Sequence, residues 1–135
     1  MAKIKHLALI SEDPEKLANF YSDIYGLTIT GRSQGDVWVT DGYMDIALIH
    51  QKNVKKPKGL FHFGFTIDPA EKPAVYEKMK ALGLEPFDPR GDNPDLDRPF
   101  VEDAGYDIDG NRFDISVGMR DIEEEKLKPK GPAAK

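Results

Sequence analysis

The sequence predicts an α+β fold built from two tandem modules, each with the element order strand–helix–strand–strand–strand. The first observation is an internal repeat, because His62 follows His6 by 56 positions in a matching strand pattern. The second is that an Asp-Pro pair opens a helical pattern in each half, at Asp13 and again 55 positions later at Asp68. Either half alone is too small for a full core, so we expect the two modules to form one domain.

The first module is predicted to span residues 3–50 and begins with an alternating strand over residues 3–10. Asp13 is a good N-cap and Pro14 a good first helical residue, and Gly26 is expected to end the helix. The apolar stripe predicted to be buried along this helix consists of Leu17, Phe20, Tyr21 and Ile24. Three further strands are predicted over residues 27–31, 36–40 and 44–50.

The second module is predicted to span residues 60–118, after a basic linker at residues 51–59. An alternating strand over residues 60–67 leads to Asp68, and Glu71 completes a capping box for the second helix. The apolar stripe of that helix consists of Val75, Met79 and Leu82, and Gly83 ends it. Strands are then predicted over residues 84–88, 100–105 and 112–117.

Two segments fall outside these regular elements. A loop at residues 89–99 is rich in Asp, Pro, Arg and Gly, and long loops of this kind often bind ligands. A charged tail at residues 119–135 is expected to lie outside the domain, which is predicted to occupy residues 1–118.

The composition excludes several classes of function. The chain has 135 residues and no cysteine, which rules out disulfides, thiolate metal ligands and cysteine nucleophiles. A net charge of −5 makes nucleic acid an unfavourable partner. Because no apolar run approaches the roughly 20 residues that span a bilayer, and no signal-peptide pattern is found, we expect no membrane association and a cytoplasmic protein.

The two repeated histidines lie at the same place in their strands. Alternation puts His6 on one face with Ile4 and Ala8, and puts His62 on one face with Gly64 and Thr66. The larger apolar side chains point the other way and are expected to pack under the helices. The histidine faces are therefore predicted to be the open side of each sheet.

The last predicted strand adds a carboxylate to this pattern. Asp114 lies between Phe113 and Ile115, and a buried charge without a partner is costly. If the two halves curl together, His6, His62 and Asp114 converge, and two imidazoles with one carboxylate suit a divalent metal with open coordination positions. The alternative is that each histidine is structural and that Asp114 is an ordinary residue of a half-exposed sheet.

Four segments of the sequence carry a resemblance to a known family. They are Lys3-Ile-Lys-His-Leu-Ala-Leu-Ile, Phe20-Tyr21 with Gly26-Leu27, Phe61-His-Phe-Gly-Phe, and Asp107-Ile-Asp-Gly-Asn-Arg-Phe-Asp-Ile. With them the chain resembles the vicinal oxygen chelate superfamily, which includes glyoxalases, bleomycin resistance proteins and extradiol dioxygenases. The resemblance covers residues 3–118 and implies paired βαβββ modules in a curved, cup-like mixed sheet with the helices outside.

The resemblance also implies a site and partners. By position it implies that His6, His62 and Asp114 bind a divalent metal, which could be iron, manganese, nickel, zinc or cobalt. The metal would bind vicinal oxygens of a small-molecule substrate, and a homodimer is expected. One departure is Ala47, which aligns with Asp114 of the second module and stands where glyoxalase I and methylmalonyl-CoA epimerase enzymes have Glu or Gln.

Three hypotheses of function follow from this resemblance. The first, slightly preferred, is a metal-dependent enzyme with extradiol-dioxygenase-type chemistry. The second is a glyoxalase (lactoylglutathione lyase) or epimerase type of lyase or isomerase, against which Ala47 argues. The third is a metal-free protein that sequesters a ligand, as bleomycin resistance proteins do. Weaker candidates are Tyr43, Tyr106 and Glu102 for acid–base catalysis, and Trp38, Arg90 and Arg98 for substrate binding.

Overall fold

The computed structural model describes residues 2–89 and 103–117, and the chain divides into two compact units. The N-terminal unit is Lys5–Phe61, and the C-terminal unit comprises the described residues of Met1–Ile4 and His62–Met119. The described residues contain strands of both orientations and two α-helices, which confirms the predicted α+β class. The elements are β1 (Lys3–Ser11), α1 (Pro14–Tyr25), β2 (Thr28–Ser33), β3 (Asp36–Thr40), β4 (Asp45–His50), β5 (Gly59–Ile67), α2 (Lys72–Ala81), β6 (Asp103–Tyr106) and β7 (Arg112–Val117).

In the N-terminal unit the strand order is β2-β3-β4-β1, with β1 parallel to β4 and the other neighbours antiparallel. Helix α1 packs on this sheet, and the buried core consists of Ala18, Val37, Val39 and Leu48. The predicted helix ends are confirmed. The Asp13 carboxylate accepts a hydrogen bond from the Lys16 backbone N–H, and Gly26 has a φ of 74°, which favours glycine.

The predicted apolar stripe of α1 is partly wrong. Leu17 and Tyr21 pack against the core, but Phe20 is 51% exposed and Ile24 is 62% exposed. The reason is that Ala18, which is fully buried in the core, lies on the face of the helix that packs on the sheet. The contact face is therefore centred between Leu17, Ala18 and Tyr21, which turns the larger neighbours to its margin.

In the C-terminal unit the strand order is β5-β7-β6, with β5 parallel to β7 and β6 antiparallel to β7. The capping box of Asp68 and Glu71 is present as predicted, and a short 3₁₀ turn (Pro69–Glu71) precedes α2. The buried core consists of Ile67, Phe113 and Ile115, covered by Phe63, Phe65, Val75, Tyr76 and Met79. Leu82 was predicted to join this core but is 68% exposed.

The strand predicted over residues 84–88 does not form. Within the described residues of this segment, Phe87 alone makes a β-bridge, and its partner is Ala104. Pro86 and Pro89 flank the bridge, and proline has no N–H to donate to a ladder. The second repeat therefore has three strands among the described residues, where the first has four.

The two α-helices are short. No helix among residues 2–89 and 103–117 has the length and apolar character needed to cross a membrane.

Candidate metal centre

The two units repeat one strand register around the histidines. In the N-terminal unit Ala8, two residues after His6, pairs with Ala47 on β4. In the C-terminal unit Gly64, two residues after His62, pairs with Asp114 on β7. Ala47 is therefore the structural equivalent of Asp114, as the sequence alignment predicted.

His62 and Asp114 form a buried pair within the C-terminal unit. The His62 Nε2 lies 2.9 Å from the Asp114 Oδ2, and the two residues are 8% and 4% exposed. The two side chains leave the same face of the sheet, because Asp114 pairs with Gly64 and His62 lies two residues before Gly64 on β5. Asp114, which lies between the core residues Phe113 and Ile115, therefore has His62 as the partner that a buried carboxylate needs.

This pair suits a divalent metal ion. An imidazole nitrogen and a carboxylate oxygen are both common metal ligands. Bonds of about 2.1 Å to an octahedral ion place adjacent ligand atoms about 3.0 Å apart, close to the separation of these two atoms. The donor types and their spacing therefore fit a shared ion.

Arg112 lies beside the pair, two residues before Asp114 on the same strand face. Its Nη2 is 3.5 Å from the Asp114 Oδ1, and its side chain is 20% exposed. The guanidinium adds a positive charge next to a carboxylate that is almost fully buried, which lowers the cost of keeping that carboxylate ionised. The sequence placed Arg112 on this face without assigning it a role.

The histidine faces are more covered than the sequence predicted. On β5 His62, Gly64 and Thr66 are all buried, whereas Phe63 and Phe65, which face the helix, are only half-buried. The expectation of an open face was wrong for β5, where His62 is in contact with Asp114 of the neighbouring strand.

His6 lies in the other unit, on β1, where it is half-buried and pairs in register with Asp45. Trp38 on β3 is half-buried and pairs with Ala47, so both side chains leave the sheet on the same face. That face also carries His6 and Ala8, since Ala8 is the partner of Ala47 on β1. The N-terminal unit therefore presents an imidazole and an indole on one face.

Tyr43 and Tyr106 have different surroundings. The Lys5 Nζ lies 3.5 Å from the centre of the Tyr43 ring, and Lys5 points to the face opposite His6. Tyr106 pairs across the strands with Arg112 and stacks on Phe87, with ring centres 5.7 Å apart. Tyr106 thus lies on the same face as His62 and Asp114.

Other residues have structural contacts or fall outside the described ranges. The Nδ1 of His50 accepts a hydrogen bond from the Lys52 backbone N–H and caps the turn after β4. The predicted site residues Glu102, Arg90 and Arg98 lie outside the described residues. The sequence does not indicate that Phe87 belongs to this face, because its contact with Tyr106 depends on the single β-bridge between Phe87 and Ala104.

The chain belongs to the Glyoxalase/Bleomycin resistance protein/Dioxygenase superfamily, whose family model matches residues 3–115. This finding confirms the resemblance on which the interpretation of the histidines rested. No curated protein matches the sequence at a significant level.

Solved structures with the same fold include several enzymes of this superfamily. The 2,3-dioxygenase LapB from Pseudomonas sp. KL28 is 20% identical, with a TM-score of 0.67 over 86% of this chain and 40% of its own. A Mn(II)-bound glyoxalase from Novosphingobium aromaticivorans is 13% identical, with a TM-score of 0.66 over 98% of this chain and 44% of its own. Methylmalonyl-CoA epimerase from Mycobacterium tuberculosis is 12% identical, with a TM-score of 0.64 over 90% of this chain and 91% of its own.

At these identities the similarity shows the fold alone. The chain spans less than half the length of the dioxygenase and of the glyoxalase, and nearly the whole of the epimerase.

Proposed function

We propose that this protein is a divalent-metal-dependent enzyme that acts on a small molecule with two vicinal oxygens. His62 and Asp114 are two of the proposed ligands, and His6 is the third. The observation that carries the proposal is the buried contact of 2.9 Å between the His62 Nε2 and the Asp114 Oδ2. Both atoms are of the types that bind a divalent ion, and ionisable groups buried side by side are typical of functional sites.

The inclusion of His6 is supported by the repeat. His6 precedes Ala8 in the β1–β4 pairing as His62 precedes Gly64 in the β5–β7 pairing. Two histidines and one carboxylate form the set found in non-haem Fe(II) oxygenases.

Ala47 supports dioxygenase-type chemistry over glyoxalase- or epimerase-type chemistry. In the glyoxalase I and methylmalonyl-CoA epimerase enzymes that the chain resembles, this position of the first module carries Glu or Gln, and a carboxylate there can move a proton. Ala47 stands at the position equivalent to Asp114, is 4% exposed, and has neither group. A site with three protein ligands retains open positions for substrate oxygens and a second small ligand.

The proposed roles of the chain's own residues follow from their chemistry. When bound, a divalent metal supplies Lewis acidity and holds the two substrate oxygens. The Asp114 carboxylate and the two imidazoles fix where the substrate binds. The buried surroundings of His62 and Asp114 exclude water, which strengthens every charge interaction there.

The first experiment measures the metal content of protein purified without a tag or chelator, by elemental mass spectrometry. We expect about one metal ion per chain in the wild type and a loss of at least tenfold in His62→Ala and in His6→Ala. His50→Ala is the matched control, since its imidazole caps a turn, and it should retain the wild-type content. Equal metal content in all four proteins would contradict the proposed ligands.

The second experiment decides the reaction. Iron-reconstituted protein is supplied with catechols under air, and oxygen consumption is followed with an electrode. A dioxygenase consumes one O₂ for each ring opened, with both oxygen atoms entering the product. Activity on thiohemiacetals or epimerisable acyl thioesters without oxygen consumption would favour the lyase or isomerase alternative. A wild type that binds no metal would instead favour the ligand-sequestering alternative.

A further inference from the structure

We infer that the C-terminal unit recognises a flat, negatively charged ligand through Arg112 and the stacked pair Phe87–Tyr106. This inference rests on the proposed function and names the class of substrate, a conjugated or aromatic ring that carries a carboxylate. It stands on the register, burial and charge of residues in this one unit.

The side chains of Phe87, Tyr106 and Arg112 lie on one face of the sheet. Tyr106 pairs directly with Arg112, and Ala104 pairs directly with Asp114, across antiparallel β6 and β7. Directly opposed residues leave the sheet on the same side, and Arg112 and Asp114 are two positions apart on one strand. Phe87 joins the same face because its ring stacks on Tyr106.

Exposure to solvent decreases along this face from the aromatic pair to His62 and Asp114. Asp114 is 4% exposed and His62 is 8% exposed, whereas Phe87 is 40% and Tyr106 is 44% exposed. Arg112, with a side chain 20% exposed, lies between these extremes. Phe87 and Tyr106 are thus the solvent-exposed end of this face, His62 and Asp114 are its buried end, and the positively charged Arg112 has an intermediate exposure.

The aromatic pair and the guanidinium each suit one part of a flat, negatively charged ligand. The Phe87 and Tyr106 rings are close to parallel, at 22°, and the outer face of such a pair suits stacking with a flat ring. A guanidinium has five N–H donors in a planar fork, whose geometry matches that of a carboxylate. The guanidinium is 3.5 Å from a proposed metal ligand, so the ligand's negative group should lie next to its metal-binding oxygens.

The test compares 2,3-dihydroxybenzoate, whose carboxylate adjoins a hydroxyl, with catechol, which lacks the carboxylate. Affinities are measured by anaerobic calorimetry on the protein with the metal it retains. We expect the wild type to bind the acid at least tenfold more tightly than catechol. In Arg112→Gln the acid should lose at least tenfold in affinity while catechol changes less than twofold, because one charge-assisted contact is removed.

Three further variants make the comparison specific. Arg112→Lys keeps the charge but not the planar fork, and should restore part of the preference for the acid. Tyr106→Leu should weaken both ligands by a similar factor of about three- to tenfold, since stacking does not depend on the carboxylate. Arg32→Gln, which removes an arginine paired with Glu15 in the other unit, should leave both affinities unchanged.

Two results would overturn the inference. One is an equal loss for both ligands in Arg112→Gln together with loss of metal, which would make Arg112 a positioning residue for Asp114. The other is a wild type that does not distinguish the acid from catechol. A wild type without metal that still prefers the acid would reject the proposed enzyme and leave the inferred ligand class standing.

Discussion

Asp114 is a charged residue that the fold buries between two core residues, with His62 2.9 Å and Arg112 3.5 Å away. Asp114→Asn keeps the shape of the side chain and removes its charge. We expect the affinity for Zn²⁺ alone to fall at least tenfold, because a neutral amide is a poor ligand for a divalent ion. Competition with a coloured chelator measures this affinity.

Asp109→Asn is the matched control for this charge removal, because Asp109 is exposed and lies in the turn before β7. Its affinity for Zn²⁺ should equal that of the wild type. If Asp114→Asn also binds as the wild type does, the carboxylate is not a ligand.

Asp107 organises the turn between β6 and β7. Its carboxylate accepts hydrogen bonds from the side chain of Asn111 and from the backbone N–H groups of Asn111 and Asp109. The hydrogen bonds from Asn111, side chain first, hold the pKa of Asp107 below its ordinary value of 3.8. The contribution to stability is therefore present above pH 3.8 and is lost as the pH falls through the lower pKa of the folded state.

Asp107→Ala should therefore lower Tm at pH 7, and the difference from the wild type should shrink as the pH falls below 3.8. Calorimetric melting between pH 7 and pH 3 measures both. A Tm difference that stays constant down to pH 3 would show that the hydrogen bonds of the ionised carboxylate do not stabilise this turn.

At the scale of elements, the start of α1 is set by a local interaction that the sequence predicts. The Asp13 Oδ1 accepts a hydrogen bond of 3.1 Å from the Lys16 backbone N–H. Asp13→Ala removes this acceptor and should cost about 1 kcal/mol of unfolding free energy. Asp13→Asn keeps an oxygen acceptor at the same place and should cost only a few tenths.

Denaturation in urea at pH 7 measures both free energies of unfolding. The m-value should stay unchanged, since neither variant alters the buried core. Equal losses in the two variants would assign the effect to the charge of Asp13 at the helix start and not to its capping hydrogen bond.

At the scale of the whole molecule, α1 leaves a group of large side chains exposed. Phe20, Ile24 and Tyr25 are 51%, 62% and 69% exposed, and the Phe20 and Tyr25 rings lie 6.3 Å apart. An exposed apolar group of this kind often marks an interface. We therefore predict a homodimer with about twice the chain mass of 15.1 kDa in light scattering after size exclusion.

Ile24→Glu places a charge in this group and should shift the mass toward that of a single chain. Lys16→Ala, an exposed change on the same helix, should leave the dimer intact. A wild type that elutes as a monomer at micromolar concentration would contradict the dimer.

The resemblance of four segments predicted the superfamily. The sequence by itself also predicted the α+β class, the repeat, the start of α1 at Asp13, and the capping box at Asp68, which begins the short turn before α2. These depend on local hydrogen bonding and on periodicity, which act between residues close along the chain. It also predicted that Ala47 and Asp114 are equivalent, because the repeat carries the strand register with it.

Only the tertiary structure decided which apolar residues are buried and which side chains surround Asp114. Phe20 and Leu82 fit an apolar stripe in sequence but are exposed, since burial depends on how closely a helix approaches its sheet. The contact of Phe87 with Tyr106 depends on one bridge between residues 17 positions apart. The closeness of His62 to Asp114 depends on a parallel pairing of residues 50 positions apart. Such pairings join segments that are far apart along the chain, so the local preferences of either segment do not determine which segments lie side by side.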